Sequence, residues 1–139
     1  MTSTEHDKSC RACPEVLELR KKVRKLSFSI PCPPDSEEIG RHTWTFLHTM
    51  SVHYPEHPTL RQQLEMKSLL RAIGTFYPCS VCAEHFREIS RRSPPRVDSR
   101  ETLARRLCER HNEVNESIGK ETFDCRKVFE RWLENPRCE

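Results

Sequence analysis

From Asp35 onward the apolar residues recur at helical spacing and never alternate as a strand would require. Asp35 with Glu38 resembles a capping box, and Ile39, Phe46, Leu47, Met50 and Tyr54 then share one face as far as about His53. Thr59 with Gln62 is a second capping signal, followed by Leu60, Leu64, Leu70, Ile73 and Tyr77. Pro78 suits the first position of a third, shorter helix, because its missing N–H is one the helix would not use. That helix carries Cys82, Phe86 and Ile89 inward and ends at Ser93-Pro94-Pro95.

Ser99 caps a fourth helix with apolar positions Leu103, Leu107, Val114 and Ile118, stopped by Gly119. Asp124 caps a short fifth bearing Val128, Phe129, Trp132 and Leu133. No period-2 run or hairpin dipeptide occurs, so no sheet is expected. The economical assembly is all-α, a four-helix bundle with a short fifth helix across one end.

Residues 1–31 read differently. Large apolar residues are few, a basic run occupies Arg20-Lys21-Lys22-Val23-Arg24-Lys25, and Pro31-Cys32-Pro33-Pro34 follows. This segment reads as a mobile N-terminal arm attached to a domain at 32–139. A short helix from Glu15 to Leu26 would present only the narrow stripe Val16, Leu19, Val23 and Leu26.

Composition makes staples necessary. At 139 residues the chain is one domain by length, yet 35% hydrophobic against 32% charged residues leaves only a small core. Eight cysteines are available, at positions 10, 13, 32, 79, 82, 108, 125 and 138. An even count in a short chain favours disulfides and an oxidising compartment, with metal binding the alternative. A net charge of +3 with acids and bases interspersed gives no case for nucleic acid. No stretch approaches about 18 apolar residues, so no membrane span is expected. The first residues lack the apolar region of a secretory signal, and their acids argue against a cleaved mitochondrial presequence. A protein of an oxidising compartment would then arrive unconventionally, or this sequence lacks its leader.

The most pointed chemistry is Cys79-Ser80-Val81-Cys82 behind Pro78. A helix N-terminus offers unpaired N–H groups and partial positive charge, which favour thiolate over thiol. The alternatives are a reactive dithiol and half of a zinc site. Cys10-Arg11-Ala12-Cys13 is a second such pair on the arm, so one pair is anchored and the other can travel, as thiol–disulfide relay requires. The two pairs lie well beyond the roughly 15–20-residue spacing of compact zinc ribbons.

Cys108, His111, Asn112 and Asn115 fall at i, i+3, i+4 and i+7 on the fourth helix and share one face. A satisfied core histidine is the plain reading; a face for a planar heteroaromatic ring and its ribose is the other. Trp44 and His48 form an i, i+4 pair on the first helix, with Gly40 and Arg41 one turn earlier. Gly40 costs roughly 1 kcal/mol relative to Ala, which close approach of a ligand or of a neighbouring helix would explain. Cys108 and Cys125 flank the turn between helices four and five, where a bridge across about 15 residues is worth roughly 3 kcal/mol. Cys32 and Cys138 flank the bundle segment and could join within a chain or across a two-fold dimer.

With Cys32-Pro33-Pro34-Asp35, Gly40-Arg41-His42-Thr43-Trp44, Leu47-His48-Thr49, Phe76-Tyr77-Pro78-Cys79-x-x-Cys82, His111-Asn112-Glu113-Val114-Asn115 and Phe123-Asp124-Cys125 in this order, the chain resembles a known family. It is similar to the FAD-linked sulfhydryl oxidases of the essential-for-respiration-and-viability and augmenter-of-liver-regeneration type. The resemblance implies a helical bundle that binds FAD and forms a homodimer. It implies Cys79 and Cys82 as the active-site disulfide, with Cys82 nearer the flavin, and Cys10 and Cys13 as the shuttle. Cys108 with Cys125 would be a structural bridge, and Cys32 with Cys138 intersubunit bridges. The implied FAD environment is Gly40, Arg41, Trp44, His48, Tyr54, Cys108, His111, Asn112, Asn115, Lys120, Phe123, Arg131 and Trp132, with no metal. Thr75 stands where close relatives carry a lysine.

Electrons would pass from a substrate dithiol through Cys10–Cys13 and Cys79–Cys82 to the flavin, then to oxygen, giving hydrogen peroxide, or to cytochrome c. The implied compartment is the mitochondrial intermembrane space, with the import-pathway disulfide carrier as partner; cytosolic or secreted forms are the alternative. The rival from another class is a non-enzymatic, cysteine-stapled helical module, with zinc binding as an option, used for protein contact or signalling.

Overall fold

The computed structural model describes Glu18 and residues 30–134. Cys10, Cys13 and Cys138 lie outside these residues, as does the candidate helix at 15–26 apart from Glu18. The chain divides into two compact units, Met1–Pro33 and Pro34–Glu139. In the first, Cys32 is exposed and has a free thiol.

The second unit is all-helical among the described residues: α1 Ser36–Val52, α2 Leu60–Phe76, α3 Ser80–Arg92, α4 Arg100–Ser117 and α5 Val128–Trp132, the last entered through a 3-10 turn at Cys125–Lys127. The starts of α1 to α4 are each set by a side chain that takes an otherwise unpaired N–H, and α5 continues from a turn capped by Asp124. Asp35 accepts from Glu38 N, while Thr59 with Gln62 and Ser99 with Thr102 close full capping boxes. Gly119, at φ 72°, takes the left-handed conformation that ends α4.

Helix α1 packs on α4, α2 on α3, and α5 closes against α1 and α4. One core cluster joins Leu47, Tyr54, Met66, Leu70, Val97, Leu103 and Leu107. A second, at the α5 end, joins Val52, Ala104, Cys108 and Val128. Within the second, the Cys108–Cys125 disulfide ties α4 to the turn that leads into the fifth helix. No described helix is long and apolar enough to cross a membrane.

Several sequence expectations are corrected. Pro78 does not open α3; the helix starts at Ser80, with Cys79 as its cap. Cys82 is exposed rather than inward, because the buried side of α3 is set by Ala83 and Ile89. On α2, Leu60 and Leu64 are 79% and 64% exposed, since the inward stripe is Met66, Leu70 and Gly74, centred about 80° and 120° around the helix from them. Phe46 and Ile118 are also exposed, the first about 100° from buried Leu47 and the second at the C-cap of α4.

Candidate active site

The candidate site comprises two groups of side chains. The first is the Cys79–Cys82 disulfide, with Cα atoms 5.3 Å apart. Cys79 caps α3 through sulfur, its Sγ accepting from Cys82 N at 3.3 Å. The first turn of α3 holds no acidic residue. Upon reduction that end favours thiolate on either sulfur. Phe76 and Val81 flank the pair and are 80% and 78% exposed.

The second group is a set of four rings from three helices. Trp44 of α1 stacks on His111 of α4 with centroids 4.2 Å apart and planes 4° from parallel. His48, one turn after Trp44, stacks on Trp132 of α5 at 4.9 Å and 18°. The two histidines share a hydrogen bond, His48 Nε2 to His111 Nδ1 at 2.9 Å, so one ring nitrogen donates and the other accepts. Burial, then the neighbouring His111 and Arg131, lower His48 to about 3. Burial, then Lys120, lower His111 to about 4. Both rings are therefore neutral at pH 7. His48 Nδ1 is buried with no partner. Arg131 lies over the Trp132 ring at 4.3 Å, a cation–π contact at the rim.

Phe86 links the two groups. It lies one helical turn beyond Cys82 and meets Trp44 edge-on at 6.3 Å. Behind it stands Arg110, fully buried, with its guanidinium 5.8 Å from the Phe86 ring. Arg110 donates to Ser90 Oγ at 3.2 Å and to Ser93 O, which holds the C-terminal end of α3 against α4. Sequence reasoning missed both Phe86 as a link and Arg110 altogether. The signal for Arg110 was present: it continues the i, i+4, i+7 stripe of Leu103 and Leu107, a core position occupied by a cation.

The other expected site residues separate into several places. Asn112 holds the chain after α4, its Nδ2 donating to Phe123 O at 2.8 Å and its Oδ1 accepting from Phe123 N at 2.9 Å. Asn115 Nδ2 donates to Glu121 O at 3.2 Å, and Lys120 reaches Glu37 of α1 at 3.2 Å. These amides clamp the loop that delivers Cys125 to Cys108. Tyr54 is buried in the first core cluster, its hydroxyl donating to Val97 O at 3.1 Å. Arg41 is exposed. A Cβ on Gly40 would meet only Tyr77 Oη, at 3.8 Å, so no neighbouring helix demands the glycine. Among the described residues no cluster of three metal-ligating side chains is placed to hold a metal ion.

A dithiol–disulfide pair at a helix start, with Phe86 of the same helix against flat neutral rings that leave one nitrogen unsatisfied, suits redox exchange with a planar partner. Comparison with known proteins agrees in family and fold. Residues 41–133 match the Erv1 / Alr family. The FAD-linked sulfhydryl oxidase ERV1 of Arabidopsis thaliana is 46% identical over 100 residues, covering 72% of this chain and 52% of that protein. The mitochondrial FAD-linked sulfhydryl oxidase erv1 of Schizosaccharomyces pombe is 50% identical over 101 residues, covering 71% and 56%. The chain thus spans about half the length of the curated relatives it matches. The crystal structure of the yeast Erv1 core superposes with a TM-score of 0.75 at 36% identity, covering 94% of this chain and 98% of that one. The FAD binding domain of Erv1 from Saccharomyces cerevisiae gives 0.71 at 42% identity, covering 74% and 97%. On the matched segment, the identity and the shared bundle, this chain belongs to the Erv1 / Alr family.

Proposed function

We propose that the protein is an FAD-linked thiol oxidase that forms disulfides in dithiol proteins. The observation that carries this reading is the Cys79–Cys82 disulfide at the start of α3, joined through Phe86 to the four-ring cluster. The orphaned, buried His48 Nδ1 among flat rings fits a ligand that combines a heteroaromatic system with hydrogen-bonding groups, as FAD does. Trp44, His48, His111 and Trp132 would hold its planar parts, and Arg41, Lys120 and Arg131 its diphosphate. When bound, FAD supplies a two-electron acceptor that an external oxidant can restore.

The chain's own residues carry out the thiol exchange. A substrate thiolate attacks Cys79 Sγ, the Cys79–Cys82 bond breaks, and its electron pair leaves on Cys82 as a thiolate stabilised by the N-terminus of α3. The second substrate thiolate attacks the mixed disulfide at the substrate sulfur, expelling Cys79. The substrate departs oxidised and the pair holds two electrons. Neutral His48 and His111 bring no positive charge into the ring cluster, and their shared proton fixes both rings in orientation.

In the complete reaction Cys10–Cys13 relays electrons inward from a protein substrate such as the intermembrane-space disulfide carrier. Oxygen, giving hydrogen peroxide, or cytochrome c takes them at the end. The compartment is the mitochondrial intermembrane space, a reading supported by the Schizosaccharomyces pombe relative, which is named as mitochondrial. The protein works as a homodimer with Cys32–Cys138 intersubunit bridges; exposed Phe46, Leu60 and Leu64 on α1 and α2 support burial against a second copy.

The test is the visible spectrum of the purified protein followed by oxygen uptake with dithiothreitol. Yellow, flavin-type absorption and thiol-dependent oxygen uptake are expected, with uptake abolished and the absorption retained in Cys82→Ser. A colourless protein after incubation with FAD, or undiminished uptake in that variant, overturns the reading.

A further inference from the structure

A groove of about 480 Å³ runs between α2 and α3 on a side that none of the residues assigned above to FAD lines. Its floor is apolar, formed by buried Leu70 and half-buried Phe86. Its rim carries four cations, Lys67 and Arg71 from α2 and Arg87 and Arg91 from α3, and no lining residue is acidic. Glu84, just outside, is shared by Arg87 and Arg91. Lys67 and Arg71 have no ion-pair partner among the described residues. Four cations against one carboxylate leave the groove strongly positive.

Construction of the groove fixes its position relative to the disulfide. Gly74 lacks the Cβ that would press on Arg87 Cγ at 3.2 Å, and Arg87 Nη1 can therefore cross to α2 and donate to Gly74 O at 2.6 Å. Thr75 also lines it, and the chain continues from there through Phe76, Tyr77 and Pro78 to Cys79. At a rise of about 1.5 Å per residue, Arg87 and Arg91 lie about 8 and 14 Å along α3 from Cys82.

We propose that this groove docks an acidic segment flanking the reactive cysteine of a dithiol protein that exchanges with Cys79–Cys82. This rests on the thiol-oxidase reading and adds a specificity determinant to it. Charge selects the occupant: a segment with carboxylates to face the four cations and an apolar side chain for the Leu70–Phe86 floor. Spacing narrows it further. An extended chain advances about 3.3 Å per residue, so the carboxylates belong about two to four positions from the substrate cysteine that attacks Cys79.

The test compares full-length protein with its Lys67→Glu/Arg71→Glu variant on three reductants. These are dithiothreitol, a Cys-x-x-Cys peptide with glutamates two and four positions beyond its second cysteine, and the same peptide with lysines there. Wild type should prefer the acidic peptide, with a preference that falls as salt rises. The charge-reversed variant should show about a tenfold higher KM for it, with dithiothreitol oxidation unchanged. Equal KM for both peptides in wild type, or an unchanged acidic-peptide KM in the variant, overturns the proposal. Preference that disappears in Cys10→Ala/Cys13→Ala would place the selectivity in the arm and also overturns it. Failure to oxidise dithiothreitol at all would instead sink the thiol-oxidase reading.

Discussion

The buried histidine pair should make the fold acid-labile in a window set by its own titration. His48 and His111 are held near 3 and 4 in the fold, against about 6.5 in an unfolded chain. Between those limits the unfolded state binds protons that the native state refuses, so stability is complete above about pH 6.5 and declines as pH falls toward 4. Each such proton changes stability by about 1.4 kcal/mol per pH unit. At pH 5 the deeply buried His48 accounts for a loss of about 2 kcal/mol, and the more open His111, discounted for solvent screening, for about 1 more. Urea unfolding of the oxidised protein between pH 5 and 8 measures this directly. Asp124, held near 2 by Arg126, titrates below that range and does not contribute. In His48→Gln, which keeps a hydrogen-bonding group toward His111 but cannot be protonated, the loss should shrink to the His111 share. A flat wild-type profile, or an unchanged slope in the variant, would refute the assignment of both rings as neutral and buried.

Three further outcomes follow from the packing. Cys108→Ala/Cys125→Ala opens a bridge spanning 17 positions, which should cost about 3 kcal/mol and lower the melting temperature by about 10 °C; an unchanged melting temperature would refute a stabilising role for the bridge. Arg110→Ala should lose about 3 kcal/mol through the cavity and the unpaired Ser90 and Ser93 groups, whereas Arg110→Met, which leaves the same groups unpaired but fills most of the volume, should lose only about half as much. Equal losses in the two variants, measured by urea unfolding, would show that the charge and not the volume matters. Asn112→Ala removes both bonds to Phe123 and should cost about 2 kcal/mol while exposing the 119–124 loop to protease; unaltered cleavage would show the loop to be held elsewhere.

Helix boundaries were legible because they depend on neighbours in sequence. Asp35, Thr59, Ser99 and Asp124 all act as caps at the places their residue types suggest. The start of α3 was misplaced for a physical reason: cysteine ranks low among caps, yet Cys79 Sγ does the work expected of a serine oxygen. Phase was harder than position. The α2 stripe drawn through Leu60, Leu64 and Leu70 joined residues from two faces, and only Met66 and Gly74, which were not chosen, reveal the buried one. Trp44, His48, His111 and Trp132 meet as a set that helical spacing and the family motifs could nominate. The partners of Asn112 and Asn115 could not be nominated, because a clamp on Phe123 and Glu121 depends on where a loop returns.

Cys79 joins structural and chemical demands in one atom. The N–H of Cys82 that would need a cap in any helix is the donor its sulfur accepts, and the same cluster of free N–H groups stabilises a thiolate when the bridge opens. Such a site works only if α3 is fixed with respect to the rings that face it. Its N-terminal half is held by Phe86 against Trp44, and its C-terminal end by Arg110, whose burial as a cation has no other evident purpose in the core. Arg110 touches Phe86 as well, so both restraints on the redox helix converge on the residue immediately before His111. Rotation of α3 about its axis would have to break the Arg110 bonds and the Phe86–Trp44 contact together. A fully buried guanidinium with one unsatisfied nitrogen is therefore placed where rigidity of the disulfide relative to the ring cluster is decided.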